Sequence, residues 1–316
     1  MEYYAATIGG KKYFLNSKED NVTSDRGSMI ASSNHIDLFY TLINVCHTVV
    51  AEKKEDGTLT YNAASPDERA LIEGSAKYGF RFLDRDATSV LIEVPGEKQE
   101  RYQVLNVIEF TSTRKRMSVI VKCPDETIKL FIKGADAMIM SLIGKNEDQQ
   151  NYFKETEDHL HDFAVEGFRT LSLAYRTITQ DEYDDWEKQF HEANVAIENK
   201  EEKLDEVGKM MERNLTLLGA TAIEDKLQDG VPDTIADLLK ANIRVWVLTG
   251  DKQETAINIG ISCKLLKRDS KMIILNTNSL AETKEKVAKE TKELERSVYI
   301  ISKFNMFLAH LTDIFY

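Results

Sequence analysis

Apolar residues recur at two periods along this chain, and each change of period marks an element. Leu38, Leu42, Val45 and Val49 are spaced for one face of a helix. Ser65, Pro66 and Glu68 then make a helix start, with serine as cap, proline at the first helical position and glutamate three residues after the serine; Gly79 stops that helix. Strand-like runs follow at residues 89–94, 102–110, 117–122 and 128–132, the last two joined by the turn composition Cys123, Pro124, Asp125 and Glu126. A helix over about residues 151–166 closes at Gly167, and residues 170–175 return as a strand. This order predicts an α+β unit, an antiparallel sheet with flanking helices packed on one side.

The pattern changes near residue 217. Residues 215–223 read as a buried strand, 231–241 as a helix with Pro232 in its first turn, 243–248 as a nearly continuous apolar strand and 252–263 as helix again. A strand apolar on both faces belongs in a parallel sheet. The expectation is therefore one domain over residues 1–216 and part of an α/β parallel-sheet domain over residues 217–316. Thr249, Gly250 and Asp251 would then stand at the carboxyl end of a strand, where loop hydroxyls and helix amides hold phosphate in open α/β sheets. Residues 181–213 are crowded with Glu, Asp and Lys and read as an acidic insertion, a solvated helix or mobile segment, as do residues 282–296.

Composition narrows the partners. The chain has 316 residues, enough for about two folded units, and 41 basic against 53 acidic residues give a net charge of −12. With no clustered basic face, neither nucleic acid nor an anionic membrane surface is expected as main partner. Cys46, Cys123 and Cys263 are far apart and form no Cys-x-x-Cys pair, which fits reduced thiols in place of disulfides or a zinc site. No signal peptide and no run of about 18 apolar residues is visible, so no membrane span is expected in this segment. The usual phosphate-cradling glycine loops and the Gly-x-Ser-x-Gly nucleophile elbow are missing. His159 and His161 do not share a helix face, and His35 and His47 have no carboxylate pair to complete a metal site.

Four strings carry the chemistry: Ala64-Ser65-Pro66-Asp67-Glu68, Phe110-Thr111-Ser112-Thr113-Arg114-Lys115-Arg116-Met117, Lys133-Gly134-Ala135-Asp136 and Leu248-Thr249-Gly250-Asp251-Lys252. Together with the run from Ala222 through Asp225 and Lys226 to Pro232, the ordered set resembles the cytoplasmic part of the P-type ATPases, most closely type IV, the phospholipid flippases. The resemblance covers most of residues 30–265. It implies a nucleotide-binding domain followed by part of a phosphorylation domain of haloacid-dehalogenase type. In the family ATP, with Mg2+, phosphorylates an aspartate, and the cycle moves lipid between leaflets of a membrane in which the intact protein is multi-pass. A segment of this kind would lie on the cytoplasmic side, with phospholipid and an accessory membrane subunit as partners of the whole. The phosphoacceptor string Asp-Lys-Thr-Gly-Thr and the later magnesium loop do not occur in this sequence. The chain is therefore expected to be a fragment that begins just after the phosphorylation site, ends early and cannot turn over alone.

Carried over residue by residue, the resemblance makes Phe110 the ring on which adenine stacks, with Ser112 in the same string. Lys133 lies at the deep end of the adenine pocket, and Gly134 allows close backbone approach. Arg169 is a phosphate contact, since a guanidinium grips phosphate oxygens in pairs. Glu68 is open between helix capping and ligand contact, and Arg114 to Arg116 between solvated charge and phosphate holding. Thr249, Gly250 and Asp251 with Asp225 and Lys226 would surround the transferring phosphoryl group, because that chemistry needs positioned donors and cations around a spreading negative charge. Two rivals remain: a soluble phosphatase of the haloacid-dehalogenase type, and a noncatalytic nucleotide-binding fragment.

Overall fold

The computed structural model describes residues 1–15, 34–55, 58–145, 147–249, 253–267, 272–277 and 279–296. A hairpin of β1 (Glu2–Ile8) and β2 (Lys11–Phe14) comes first, then α1 (Asn34–Val45), the short β3 (Val50–Lys53) and β4 (Leu59–Asn62), and α2 (Pro66–Ala76). A meander follows: β5 (Arg81–Arg85), β6 (Ser89–Val94), β7 (Lys98–Ile108), β8 (Arg116–Lys122) and β9 (Ile128–Gly134). Next come α3 (Asp136–Met140), α4 (Glu147–Val165), β10 (Arg169–Ile178), α5 (Gln180–Val195), α6 (Lys200–Met211) and β11 (Thr216–Glu224). The described residues end with α7 (Val231–Lys240), α8 (Gln253–Ser262) and α9 (Leu280–Arg296).

Nine strands form one antiparallel sheet in the order β2, β1, β11, β10, β9, β8, β7, β6, β5, while β3 and β4 pair separately. The central strands are apolar on both sides. Met117, Val119 and Val121 of β8 join Phe131 of β9 in one core, whereas Ile120, Leu130 and Ile132 face another. The first core is covered by α1 and α2 through Phe39, Leu42, Ile43, Leu71 and Ile72, the second by α5 and α6 through Trp186 and Met211. At the other end of the sheet, Phe163 of α4 packs with Ala5 and Ala222.

Helices thus cover both faces of the sheet, not one as the sequence pattern predicts. The acidic stretch covers much of the second face, where Ile139 of α3 also packs. It folds as the α5–α6 hairpin and presents Trp186, Phe190, Val207 and Met211 to the sheet, and the Trp186 indole donates to the Val207 carbonyl at 2.8 Å. Full burial of a large apolar side chain such as Met211 contributes about 1.5–3 kcal/mol, and with Trp186 beside it this docks a hairpin whose outer face is charged.

Two strand expectations are corrected. Residues 216–224 form β11, antiparallel to β1 and β10 in the interior of the sheet and not the first strand of a parallel one, so the expected boundary at 216/217 falls where this strand begins. Two-sided burial encodes neighbours above and below, but not the direction of the strand alongside. Residues 243–248 form no strand; Leu248 is 94% exposed, and α7 buries no side chain among the described residues. No described strand lies beside that run to receive its backbone, so no parallel sheet forms among the described residues. The chain divides into two compact units, Met1–Leu265 and Leu266–Tyr316. In the second, α9 is the described element. Among the described residues no helix is long and apolar enough to cross a membrane.

Candidate functional site

Ser65 caps α2 as the sequence predicts. Its hydroxyl accepts from the Glu68 amide at 3.4 Å, and Pro66 occupies the first turn, where a missing N–H costs nothing. The Glu68 carboxylate, however, does not complete a capping box. Oε2 accepts from the Thr48 amide at 3.0 Å and the Thr48 hydroxyl at 2.7 Å, while Oε1 takes the Lys133 ammonium at 2.6 Å. The end of β9 is thereby tied to the start of α2 and to the loop after α1. Both charges are buried, Lys133 being 7% exposed. Burial by itself would raise the Glu68 carboxyl above its ordinary 4.5; the adjacent ammonium, its hydrogen bond and the two Thr48 donors outweigh this and hold it at about 2.

His47, one residue before Thr48, is a buried neutral ring. Nδ1 accepts from the Val49 amide at 3.0 Å and Nε2 lies 2.8 Å from the Asn44 carbonyl oxygen, an arrangement satisfied with the proton on Nε2. Burial, reinforced by the Arg85 and Lys133 cations, pushes its pKa from 6.5 to about 3. Arg85 in turn donates to the Val45 carbonyl at 3.0 Å, satisfying a terminal carbonyl of α1.

Phe110 stands just past the end of β7, which stops at Ile108, two residues earlier than the apolar run suggests. The buried Ile108 anchors the strand, and the Phe110 ring is left 61% exposed. From Thr111 the chain turns back on itself: the Lys115 amide donates to the Thr111 carbonyl at 2.8 Å and the Arg114 amide to the Thr111 hydroxyl at 3.1 Å, with Ser112 exposed at the bend. The Lys115 carbonyl accepts from the Ala135 amide at 2.9 Å, which fastens this loop to the chain just beyond Lys133. Gly134 belongs to the same junction. A Cβ there would come within 2.6 Å of the Arg116 Cβ and the Lys115 carbonyl oxygen, so the close approach it permits is that of β8. Arg114 and Arg116 are neither solvated nor left open to a ligand. Their guanidiniums are buried against Glu212, beyond α6.

Arg169 opens β10 with its guanidinium 2.8 Å from an Asp225 carboxylate oxygen and 3.6 Å from one of Asp67, so the Asp67–Glu68 string, which also holds Lys133, meets the run around Asp225 at the start of α2. Asp136 ties the last residues of the Lys133 string to β10 by accepting from the Thr170 hydroxyl at 2.7 Å. Lys226 is exposed and pairs with Glu2 and, at 3.8 Å, with Glu224. Thr249 is exposed in the run after α7, and Gly250 and Asp251 lie outside the described residues. Thr48 and Glu212 hold the arrangement together without any sequence signal: one is an isolated threonine in a loop, the other a single glutamate among many.

The family described as P-type ATPase, cytoplasmic domain N, matches residues 36–230. The chain is similar to a phospholipid-transporting ATPase of Saccharomyces cerevisiae, DRS2, at 47% identity over 91% of this chain and 21% of that protein. It is 48% identical to the phospholipid-transporting ATPase DNF1 of Chaetomium thermophilum over 85% of this chain and 17% of that protein. Phospholipid-transporting ATPase ID of Homo sapiens is 42% identical over 82% of the chain and 21% of its own length. The chain thus spans about a fifth of the length of these relatives.

Proposed function

The chain belongs to the P-type ATPase family, whose cytoplasmic domain N it contains, and from that premise we propose that it binds ATP, with adenine on Phe110 and the phosphates toward Lys133 and Arg169. One observation carries the reading: an aromatic ring 61% exposed at a strand end, on a loop bonded to the residues that follow a buried lysine. An exposed ring without a ligand leaves apolar area in water, and stacking a base on it contributes about 1–3 kcal/mol. The ammonium of Lys133 carries three donors, of which Glu68 takes one. Ser112 and Gly134 complete the loop and strand end beside it, and Glu68 fixes the lysine. With about 1.5–3 kcal/mol for each charged hydrogen bond and the cost of association, binding near the millimolar range is expected.

Among the described residues no cluster of His, Cys, Asp and Glu is arranged to hold a metal, so Mg2+ would enter on the nucleotide phosphates and supply charge neutralisation there. For the longer protein we extend the reading to ATP-driven movement of phospholipid. The residues after the sheet would contribute to a phosphorylation domain in which Asp225, Lys226, Thr249, Gly250 and Asp251 face the transferring phosphoryl group. In that protein this segment would lie on the cytoplasmic side of a membrane, with an accessory membrane subunit as a further partner. The test is a calorimetric titration of the chain with Mg·ATP beside Phe110→Ala. The heat should vanish in the variant while its melting curve is unchanged, because the ring is mostly exposed. An equal heat in both proteins removes Phe110 from the site.

A further inference from the structure

We propose that Glu212 is a positioning residue for the nucleotide site: by gripping Arg114 and Arg116 from the far side of the sheet, it fixes the loop that presents Phe110. The proposal rests on the reading that Phe110 carries the base.

Glu212 is fully buried, and both of its oxygens are occupied. Oε1 accepts from Arg114 Nη2 at 2.5 Å and from the Ser118 hydroxyl; Oε2 accepts from Arg116 Nε and lies against Arg116 Nη2, each at 2.7 Å. Arg114 also reaches Asp205 of α6 at 3.1 Å, and Arg116 Nη1 donates to the Arg114 carbonyl at 3.1 Å. The two buried guanidiniums are matched by two carboxylates, Asp205 also meeting the exposed Lys209 at 2.6 Å, and such matching is the condition under which charges persist away from water. Planar guanidiniums held in pairs of bonds have little freedom to re-aim, so the loop bearing Arg114 inherits the position of α6.

The hairpin is shaped for this contact. A Cβ on Gly208 of α6 would lie 2.8 Å from Arg114 Nη1, so glycine leaves the room in which the guanidinium sits. Elsewhere the loop and the hairpin do not close on each other: a cavity of about 810 Å³ is lined by Thr111 and Thr113 on one side and Phe190 and Leu204 on the other. The hold is thus electrostatic at one point and not a broad apolar interface. From Arg114 it passes through the backbone bonds of Thr111 and Lys115 to Phe110, and on to Ala135. Glu68 is outside this network, because its carboxylate is held by Lys133 and Thr48. Residues that support a binding group from behind set its placement, and small errors in placement weaken binding disproportionately.

The experiment titrates Mg·ATP into the whole chain as wild type, Glu212→Gln and Asp205→Asn, following backbone amide NMR shifts. Glu212→Gln should melt in one cooperative transition and bind ATP about tenfold more weakly. Before ATP is added, the amide shift differences between Glu212→Gln and wild type should be concentrated at residues 110–116, with the amides of Glu68 and Lys133 unmoved. Unchanged affinity in a folded Glu212→Gln overturns the proposal, and so do such shift differences spread equally over Glu68 and Lys133. Should Glu212→Gln not fold, Asp205→Asn decides, with about threefold weaker binding expected and wild-type affinity overturning the proposal. A wild-type chain that takes no ATP, or a Phe110→Ala variant that takes it equally well, removes the underlying reading; wild-type binding that depends on Phe110 but not on Glu212 removes only the positioning role.

Discussion

Two buried ionic clusters among the described residues, one around Lys133 and one around Glu212, use buried charge differently. Lys133 and Glu68 are a single pair, 2.6 Å apart, with the remaining carboxylate oxygen held by Thr48. The ammonium is a compact charge on a flexible stem and keeps donors for another acceptor. Arg114, Arg116, Glu212, Asp205 and Ser118 form a network of planar forks and carboxylates, to which the exposed Lys209 adds a pair with Asp205 at 2.6 Å. Both clusters join segments distant in sequence, and both carry the desolvation penalty of buried ions. The lesson is that number of partners separates a charge that can serve a ligand from one that fastens a loop.

The largest expected effect comes from breaking the Glu212 cluster. Glu212→Ala leaves two guanidiniums facing each other in a buried site, which should cost about 3–5 kcal/mol, whereas Phe110→Ala should leave stability nearly unchanged. Urea unfolding of the two variants checks this, and comparable midpoints would erase the distinction drawn here.

The Lys133 cluster should announce itself through pH. His47 is held neutral with its pKa lowered from 6.5 to about 3, so its contribution is present above 6.5 and lost as pH falls through about 3. Glu68 is held ionised with its pKa lowered from 4.5 to about 2, and its contribution is present above 4.5 and lost as pH falls through about 2. In both cases the unfolded chain takes up the proton first. Stability should therefore fall by a few kcal/mol on acidification, beginning with His47, and His47→Gln should flatten the upper part of that curve. An unaltered slope between pH 6.5 and 4.5 in the variant would show that the ring titrates freely.

The smallest expected effect probes the junction between the clusters. Gly134→Ala places a methyl against Arg116 and Lys115, an overpacking that should cost about 1–3 kcal/mol. Because it pushes on the Phe110 loop and the end of β9 together, it should weaken ATP binding as well as stability; a loss in stability with full ATP affinity would uncouple the two.

Much of the local structure was legible. Ser65 and Pro66 start a helix because a side-chain oxygen and a fixed φ suit that position whatever surrounds it. The strand runs from residue 89 to 132 appear as β6 to β9 because alternating and two-sided burial is written directly in side-chain polarity. The reading of residues 181–213 as loosely solvated missed its anchors, since Trp186 and Met211 are too sparse among charges to stand out until a sheet face receives them. Residues 243–248 show the reverse: an apolar run announces a need for burial but does not supply the neighbour.

The candidate site divides along the same line. Phe110, Lys133 and Glu68 were identifiable as residue types in ordered strings, and Arg169 by resemblance, but their partners were not. That Glu68 would bind Lys133 instead of its own helix start, that Arg169 would meet Asp225, and that Arg114 and Arg116 would converge on Glu212 came only with the fold. Polarity, caps and turn residues act over a few bonds and are fixed by chain chemistry alone. The worth and the choice of an ion-pair partner depend on how much water is excluded and on which segments the sheet brings within 3 to 4 Å, and those are properties of the assembled chain.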